Sequence, residues 1–150
     1  MIKKISLIFF LFILFSSCGY EALYSSKGNI LNIKILNYEG DARINSKIIQ
    51  KLNRYNNTNS ELYEISINTE YSKKESSKNA SGKIENYDLS ATSVFNISKS
   101  GINKRVSISE NFIIKNFDDE FLELSYENKI KENISDSIVQ KLMIRLKRFK

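Results

Sequence analysis

The stretch "LYEISINTEYS", residues 62–72, decides the fold because its side chains alternate between apolar and polar along its length. Successive side chains of a β-strand point to opposite faces of the sheet, so strict alternation indicates a half-buried strand. One face of this strand has the apolar and β-branched side chains Tyr63, Ile65, Ile67, Thr69 and Tyr71. The stretch therefore predicts a sheet that packs one face against another layer.

Three other segments show a similar alternation and are predicted to be further strands of the sheet. They are residues 30–36, 84–98 and 104–117. The last two are joined by "KSGIN", a hairpin turn in which Gly101 can adopt a positive φ. The aromatic residues at strand spacing are interpreted as core packing rather than as a ligand cage; they are Tyr63, Tyr71, Tyr87, Phe95 and Phe112.

Two segments show helical spacing instead. Residues 41–55 place apolar side chains three or four positions apart, with Asp41 as a candidate N-cap, and residues 126–149 repeat that stripe over a longer helix with a basic end. The order of elements is strand, helix, strand, strand, strand, helix. The sequence therefore predicts an α+β two-layer sandwich (βαβββα), with a four-stranded, mostly antiparallel sheet and both helices packed on one face.

The first 17 residues have the layout of a secretory signal peptide. Two lysines precede an apolar run over residues 5–15, and two serines end the segment. A transmembrane helix needs roughly 20 apolar residues, so this run is too short to be one. We therefore predict a signal peptide over residues 1–17, with an uncleaved anchor or a buried core helix as the alternatives.

Cys18 is the only cysteine of the chain and follows the two serines directly. Small residues before a cysteine resemble the bacterial lipobox, although Phe15 stands where that pattern usually has leucine. The resemblance implies an S-diacylglycerol and an N-acyl group such as palmitate on Cys18. Residues 18–29 are predicted to be a lipidated tether because the segment after the cysteine lacks periodicity, and residues 30–150 are predicted to be a single domain. By the same resemblance, Gly19 implies the outer membrane. The alternative is a free cysteine after an ordinary signal peptide.

The charge composition limits the classes of partner that the chain can bind. The net charge is +6, and it falls to +4 without residues 1–17, because 21 basic residues then face 17 acidic ones. This mild surplus is not the profile of a nucleic-acid-binding protein. A dispersed surplus is typical of a solvated surface; the alternative is attraction to an anionic partner such as a phosphorylated lipid or a membrane surface.

The residue types that carry most enzyme chemistry are missing from the sequence. It has no histidine, its one cysteine is assigned to the lipid, and its five glycines form no phosphate-binding loop. The acidic run at residues 118–120 could bind calcium or act as an acid–base pair, but we interpret it as the approach to a helix N-terminus. We expect no enzyme activity, no metal and no cofactor other than the covalent lipid.

Together these parts resemble the LPS-assembly lipoprotein LptE family. The segment "SSCGYEALYSS" (16–26) resembles the mature start of that family, and "ASGKIENYDLSATSVFNIS" (80–98) resembles its middle strand, with Tyr87 and Leu89 in the matching places. The long C-terminal helix with its basic tail and the order of elements agree as well.

The resemblance implies an outer-membrane lipoprotein that plugs the lumen of the β-barrel LptD, faces the periplasm and supports barrel assembly. It also implies a role in lipopolysaccharide transport, with lipopolysaccharide, LptD and the membrane as partners and no nucleic acid. The first alternative is an accessory lipoprotein of another envelope lipid-transport or secretion complex. The second is a periplasmic enzyme on an acyl anchor.

A polar, basic segment at residues 73–83 is predicted to be a loop at the end of a long hairpin. A flexible cationic loop can contact the phosphates of a ligand. Our hypothesis is that Lys73, Lys74, Lys78 and Lys83 contact the phosphates of lipopolysaccharide. The alternative is an exposed, solvated loop.

Overall fold

The structure is a computed structural model that describes residues 31–55 and 60–148. These residues form four strands and two helices in the order βαβββα. The elements are β1 (Asn32–Gly40), α1 (Ala42–Asn53), β2 (Leu62–Lys78), β3 (Ile84–Lys99), β4 (Ile102–Lys115) and α2 (Glu120–Lys147). The predicted α+β sandwich is confirmed. Among the described helices, none has the length and apolar character needed to span a bilayer.

The four strands form one sheet in the order β1-β2-β3-β4. β2, β3 and β4 are a continuous antiparallel meander, whereas β1 pairs with β2 in parallel. A parallel pair needs a crossover connection, and α1 supplies it. The β1–β2 register shifts between Ile35 and Asn37, so a bulge interrupts this edge of the sheet.

The core lies between one face of the sheet and the two helices. The strand residues of this face follow the predicted alternation; Phe95 at its centre is fully buried, and so are Ile48 of α1 and Leu142 of α2. The predicted packing role of the aromatic residues is confirmed, because two of them are buried and three pack against the core from its margin; the five are Tyr63, Phe95, Tyr71, Tyr87 and Phe112. We call this face the covered face and the opposite one the open face.

The prediction of a loop over residues 73–83 is wrong for its first half. β2 continues to Lys78, and its ladder with β3 runs through the pair of Lys73 and Leu89 to the pair of Lys78 and Ile84. The polar composition hid the strand, because its side chains pack on partners from α2 and the neighbouring strand rather than on the apolar core. The turn itself is short and is held by the Asn79 side chain, which accepts hydrogen bonds from the Ser81 and Lys83 N–H groups at 3.0 and 2.9 Å.

The long helix begins earlier than predicted. α2 starts at Glu120 rather than at residue 126, because Asp119 caps it by accepting hydrogen bonds from the N–H groups of Phe121 and Leu122. The interpretation of the acidic run as a helix N-terminus is therefore confirmed. The predicted N-cap of α1 is confirmed as well, since Asp41 Oδ1 accepts from Ile44 N–H at 2.9 Å.

Gly40 is required where β1 turns into α1. Its φ is +91°, and a Cβ atom at this position would lie 1.9 Å from the Thr69 carbonyl oxygen. The same carbonyl accepts a hydrogen bond from Asp41 N–H at 2.9 Å. Only glycine combines the left-handed backbone with this close approach.

The long strands give the molecule two ends. The chain enters the described structure at Leu31, whose N–H donates to the Tyr55 carbonyl at 3.1 Å, and α2 finishes beside β4, where Arg145 donates to the Ser107 carbonyl at 3.1 Å. We call this the entry end, and it comprises residues 31–38, 54–55, 60–68, 94–107 and 142–148. The far end contains the β2–β3 turn, the end of β4 and the first turns of α2.

Candidate functional site

The predicted lipid attachment residue, Cys18, lies outside the described residues, as do the predicted signal peptide and tether. The structure shows the surfaces that the rest of the chain would present if it were anchored there. Four of them bear on function: the predicted lysines, a polar network behind them, a groove at the far end and the open face of the sheet.

Lys73 is not a free cation in a loop. It lies on the covered side of β2, where its ammonium group pairs with Glu123 and, at 3.0 Å, with Glu127 of α2. It also lies 4.5 Å from the ring centroid of Tyr87. Burial opposes the charge on this lysine, but the two carboxylates outweigh it and raise the pKa of Lys73. Its charge is therefore already matched inside the protein.

The pairs of Lys73 belong to a polar network that joins the sheet to α2 and α1. Tyr71 donates a hydrogen bond to Glu127 at 2.9 Å, while Lys131 lies 3.9 Å from the Tyr71 ring centroid and pairs with Asp41 at 2.9 Å. Burial and the hydrogen bond to Glu127 raise the pKa of Tyr71. Burial alone would raise the pKa of Glu127, but its bonds to Lys73 and Tyr71 lower it. The network thus holds α2 at a fixed position over the sheet.

The other three predicted lysines differ in their surroundings. Lys78 pairs with Glu75 at 2.8 Å and Lys83 pairs with Asp118 at 2.5 Å, and these carboxylates raise the pKa of both lysines. Lys74 is exposed on the open face and has no ion pair among the described residues. The structure therefore does not gather the four lysines into one site, because Lys73 and Lys74 point to opposite faces of β2.

A groove at the far end was missed by the sequence analysis. It has a volume of about 550 Å³ and lies between the first turns of α2 and the start of α1. Phe117, Leu122 and Tyr126 form its apolar wall. Its charged margin consists of Arg43 and of Lys129, which pairs with the lining residue Glu132 at 3.6 Å. The signal was present in "FLEL", residues 121–124, whose large apolar residues precede the start of the predicted helix at residue 126.

Apolar side chains around this groove are unusually exposed. Phe121 is 77% exposed, and Leu122, Leu124 and Tyr126 are also exposed. The Tyr126 ring contacts the Phe117 ring at a centroid distance of 5.3 Å. Clustered exposed apolar side chains mark an interaction surface more often than scattered ones do. An apolar groove with basic residues at its margin suits an amphiphile with an anionic head group.

The open face of the sheet is lined by small polar side chains. Cross-strand hydroxyl pairs link Ser72 to Ser90 at 2.8 Å and Thr92 to Ser109 at 2.9 Å. Neither described helix packs on this face, since both contribute to the core on the other side. The face is thus a flat surface of hydrogen-bonding groups with few charges at its centre.

Among the described residues, no group of three or more acidic side chains is arranged to hold a metal ion. Asp118 pairs with Lys83 and Asp119 caps α2, so the acidic run is used by the fold.

No protein-family model matches the chain, and no curated protein matches it significantly. Solved structures do match it. Rare lipoprotein B from Shewanella oneidensis is 12% identical with a TM-score of 0.55, and the match covers 77% of this chain and 98% of that one. An uncharacterized lipoprotein B from Nitrosomonas europaea is 15% identical with a TM-score of 0.53 and coverage of 78% and 85%. A minor lipoprotein from Acinetobacter baumannii is 14% identical with a TM-score of 0.51 and coverage of 75% and 94%. At these identities the likeness establishes a shared fold.

Proposed function

We propose that this chain is a lipid-anchored outer-membrane protein of the LptE type, which plugs an LptD-type β-barrel, supports its assembly and assists insertion of lipopolysaccharide into the outer leaflet. In this proposal it acts by binding and not as an enzyme, and Cys18 carries the lipid. The sharing of its fold with proteins named as lipoproteins supports the anchor.

The observation that carries the proposal is the open face. A sheet face rich in serine, threonine and asparagine, which no described helix covers, suits a polar environment that offers hydrogen bonds. The lumen of a transmembrane β-barrel is polar, whereas its lipid-facing surface is apolar. Hydroxyl groups such as those of Ser90 and Thr92 can exchange their bonds to water for bonds to lumen residues at little net cost.

The far-end groove supports the transport part of the proposal. Lipopolysaccharide combines acyl chains with phosphate groups, and the groove combines an apolar wall with Arg43 and with Lys129, which is paired with Glu132. Lys74 lies at the same end of the sheet, and it has no ion pair among the described residues. We therefore propose that the glycolipid contacts the far end, with this groove on the helix side and Lys74 on the open face as separate contacts.

The alternative is an accessory lipoprotein of another envelope lipid-transport or secretion complex. The same fold and the same open face would serve there, with a partner other than a barrel. The identity of the protein that covers the open face separates the two functions.

The test is a pull-down of the tagged, lipidated chain from native membranes in mild detergent, followed by mass spectrometry. We expect a large LptD-type barrel in about equal amount. Thr92→Arg, at the centre of the open face, should abolish its recovery, whereas Gln140→Arg, at an exposed position of α2, should not. Recovery of inner-membrane transporter subunits, or of nothing in comparable amount, would exclude the barrel-plug function.

A second experiment addresses the glycolipid. Binding of purified lipopolysaccharide is compared between the wild type, the variant Lys74→Glu/Lys78→Glu/Lys83→Glu and the variant Arg43→Glu/Lys129→Glu. Lys73 is left intact because its loss would disturb the polar network. We expect weaker binding in both variants; unchanged binding in both would remove the far end as the contact.

A further inference from the structure

The charge of the molecule is polarised along its long axis. The entry end contains eight lysines and arginines and two acidic residues, whereas the remaining described residues contain 11 basic and 14 acidic residues. The basic surplus of the described protein therefore lies at one end, and the rest of its body has a slight negative surplus. A dispersed, merely solvating surplus would not divide in this way.

The positive charge of the entry end is not neutralised by its own acidic groups. Its two acidic residues are already paired, Glu64 with Lys34 at 3.1 Å and Glu61 with Lys99 at 2.6 Å. Arg54, Arg105 and Arg148 are exposed and have no ion pair among the described residues. They come from the end of α1, from β4 and from the end of α2, so the charge is spread over the whole end of the molecule.

Apolar side chains accompany these charges. Ile102, next to the β3–β4 turn, is 52% exposed, and Leu62 at the start of β2 is 40% exposed. A shallow groove of about 380 Å³ opens on the same end and is lined by Asn103, Lys104 and Arg105, among others. Positive charge interleaved with single apolar side chains is typical of surfaces that contact a bilayer interface.

We propose that the entry end docks on a bilayer surface through anionic phospholipid head groups. The chain enters the structure at this end, and the 12 residues between Cys18 and Leu31 span at most about 43 Å when fully extended. A chain anchored at Cys18 would thus keep this end, rather than the slightly negative body, close to the leaflet. This geometry favours a lipid surface over an acidic protein as the occupant.

Docking at one end would orient the domain relative to the membrane. A single flexible tether leaves a domain free to tumble over the membrane, whereas electrostatic contact at one end directs the far end away from the leaflet. The inference rests on the proposed anchor for its direction. It goes beyond the barrel-plug role because it concerns the anchored chain before it enters a barrel. The glycolipid groove would then face away from the leaflet that holds the anchor.

The test uses the mature chain, residues 18–150, with Cys18→Ser, so that no acyl group contributes to binding. Its co-sedimentation with phosphatidylcholine vesicles is measured with and without phosphatidylglycerol, at about 0.05 M and about 0.5 M salt. Binding is expected only with phosphatidylglycerol and at low salt. Each basic residue near an anionic surface strengthens binding roughly fivefold, so Arg105→Glu should weaken it by at least that factor.

Lys115→Glu is the matched control, because Lys115 is exposed at the other end of the same strand. We expect its binding to stay within about twofold of wild type, and Arg54→Glu/Arg105→Glu/Arg148→Glu to abolish binding. Equal binding to neutral and anionic vesicles, no binding to either, or equal losses in Arg105→Glu and Lys115→Glu would overturn the proposal. Retention of the lipidated chain on neutral vesicles tests the anchor separately, so a failed anchor and failed docking give different results.

Discussion

The two faces of the sheet contain the same chemical pair in different surroundings. On the covered face, the Thr69 and Ser93 hydroxyl groups lie 2.7 Å apart and are fully buried; on the open face, Thr92 and Ser109 lie 2.9 Å apart in an exposed pair. The first pair must satisfy itself because no water reaches it, whereas the second can exchange its bond for bonds to water or a partner. The covered face therefore determines stability, and the open face is available for binding.

The largest difference in stability between the two faces is expected for two adjacent residues of β3. Phe95→Ala removes a fully buried ring from the centre of the covered face and should lower the free energy of unfolding by about 3–5 kcal/mol. Val94→Ala, on the open face, should cost about 0.5 kcal/mol or less. Urea denaturation of both variants measures the contrast. Similar losses would mean that the open face is part of a second core.

Acidification should destabilise the protein by protonating carboxylates on the covered side of the sheet. The bonds of Glu127 hold its pKa below the ordinary 4.5 despite burial, and those of Asp41 hold its pKa below 3.8. The unfolded chain therefore takes up protons first, so this stability is complete above about pH 4.5 and is lost as pH falls through the folded pKa values.

Glu127→Gln tests this source of stability. It should lower the free energy of unfolding at neutral pH by about 2 kcal/mol, because the charged hydrogen bonds from Lys73 and Tyr71 are weakened. The variant should also lose less stability on acidification than the wild type does. Glu70→Gln, at an exposed position of the open face, is the control and should change neither quantity by more than about 0.5 kcal/mol. Identical acid profiles for all three proteins would argue against the network.

The smallest expected effect concerns the two hydroxyl pairs themselves. Ser93→Ala leaves the buried Thr69 hydroxyl without its partner and should cost about 1–2 kcal/mol. Ser109→Ala removes the same bond on the open face and should cost less than about 0.5 kcal/mol. Thermal or urea unfolding of the two variants resolves this difference; equal costs would show that the faces do not differ in access to water.

Most of the fold could be predicted from periodicity, because each element has one apolar side. The alternation in β2 identified Ile65 and Ile67 as core residues, and both are buried. The extension of β2 to Lys78 and the first turns of α2 could not be predicted, because these segments gain their stability from ion pairs and an N-cap rather than from an apolar stripe. Partners such as Glu123 and Lys73 are 50 positions apart in the sequence.

The candidate sites were harder to predict. The sequence showed that basic residues cluster near residues 73–83, but only the sheet register reveals that Lys73 and Lys74 lie on opposite faces. In the same way, the arginines of the entry end come from three separate elements. The net charge showed that basic residues outnumber acidic ones, but it did not show where on the molecule the excess lies.

The parallel pairing of β1 has a consequence for the order in which the chain folds. β2, β3 and β4 meet through short turns, so their pairing can start from contacts that close small loops, such as Lys78 with Ile84 and Lys99 with Ile102. β1 reaches β2 only after α1 and the following connection are in place, with Asn32 opposite Leu62. Contacts between distant residues form slowly because the intervening chain must first be ordered. We expect the meander to form first and β1, with the close approach at Gly40, to be added late.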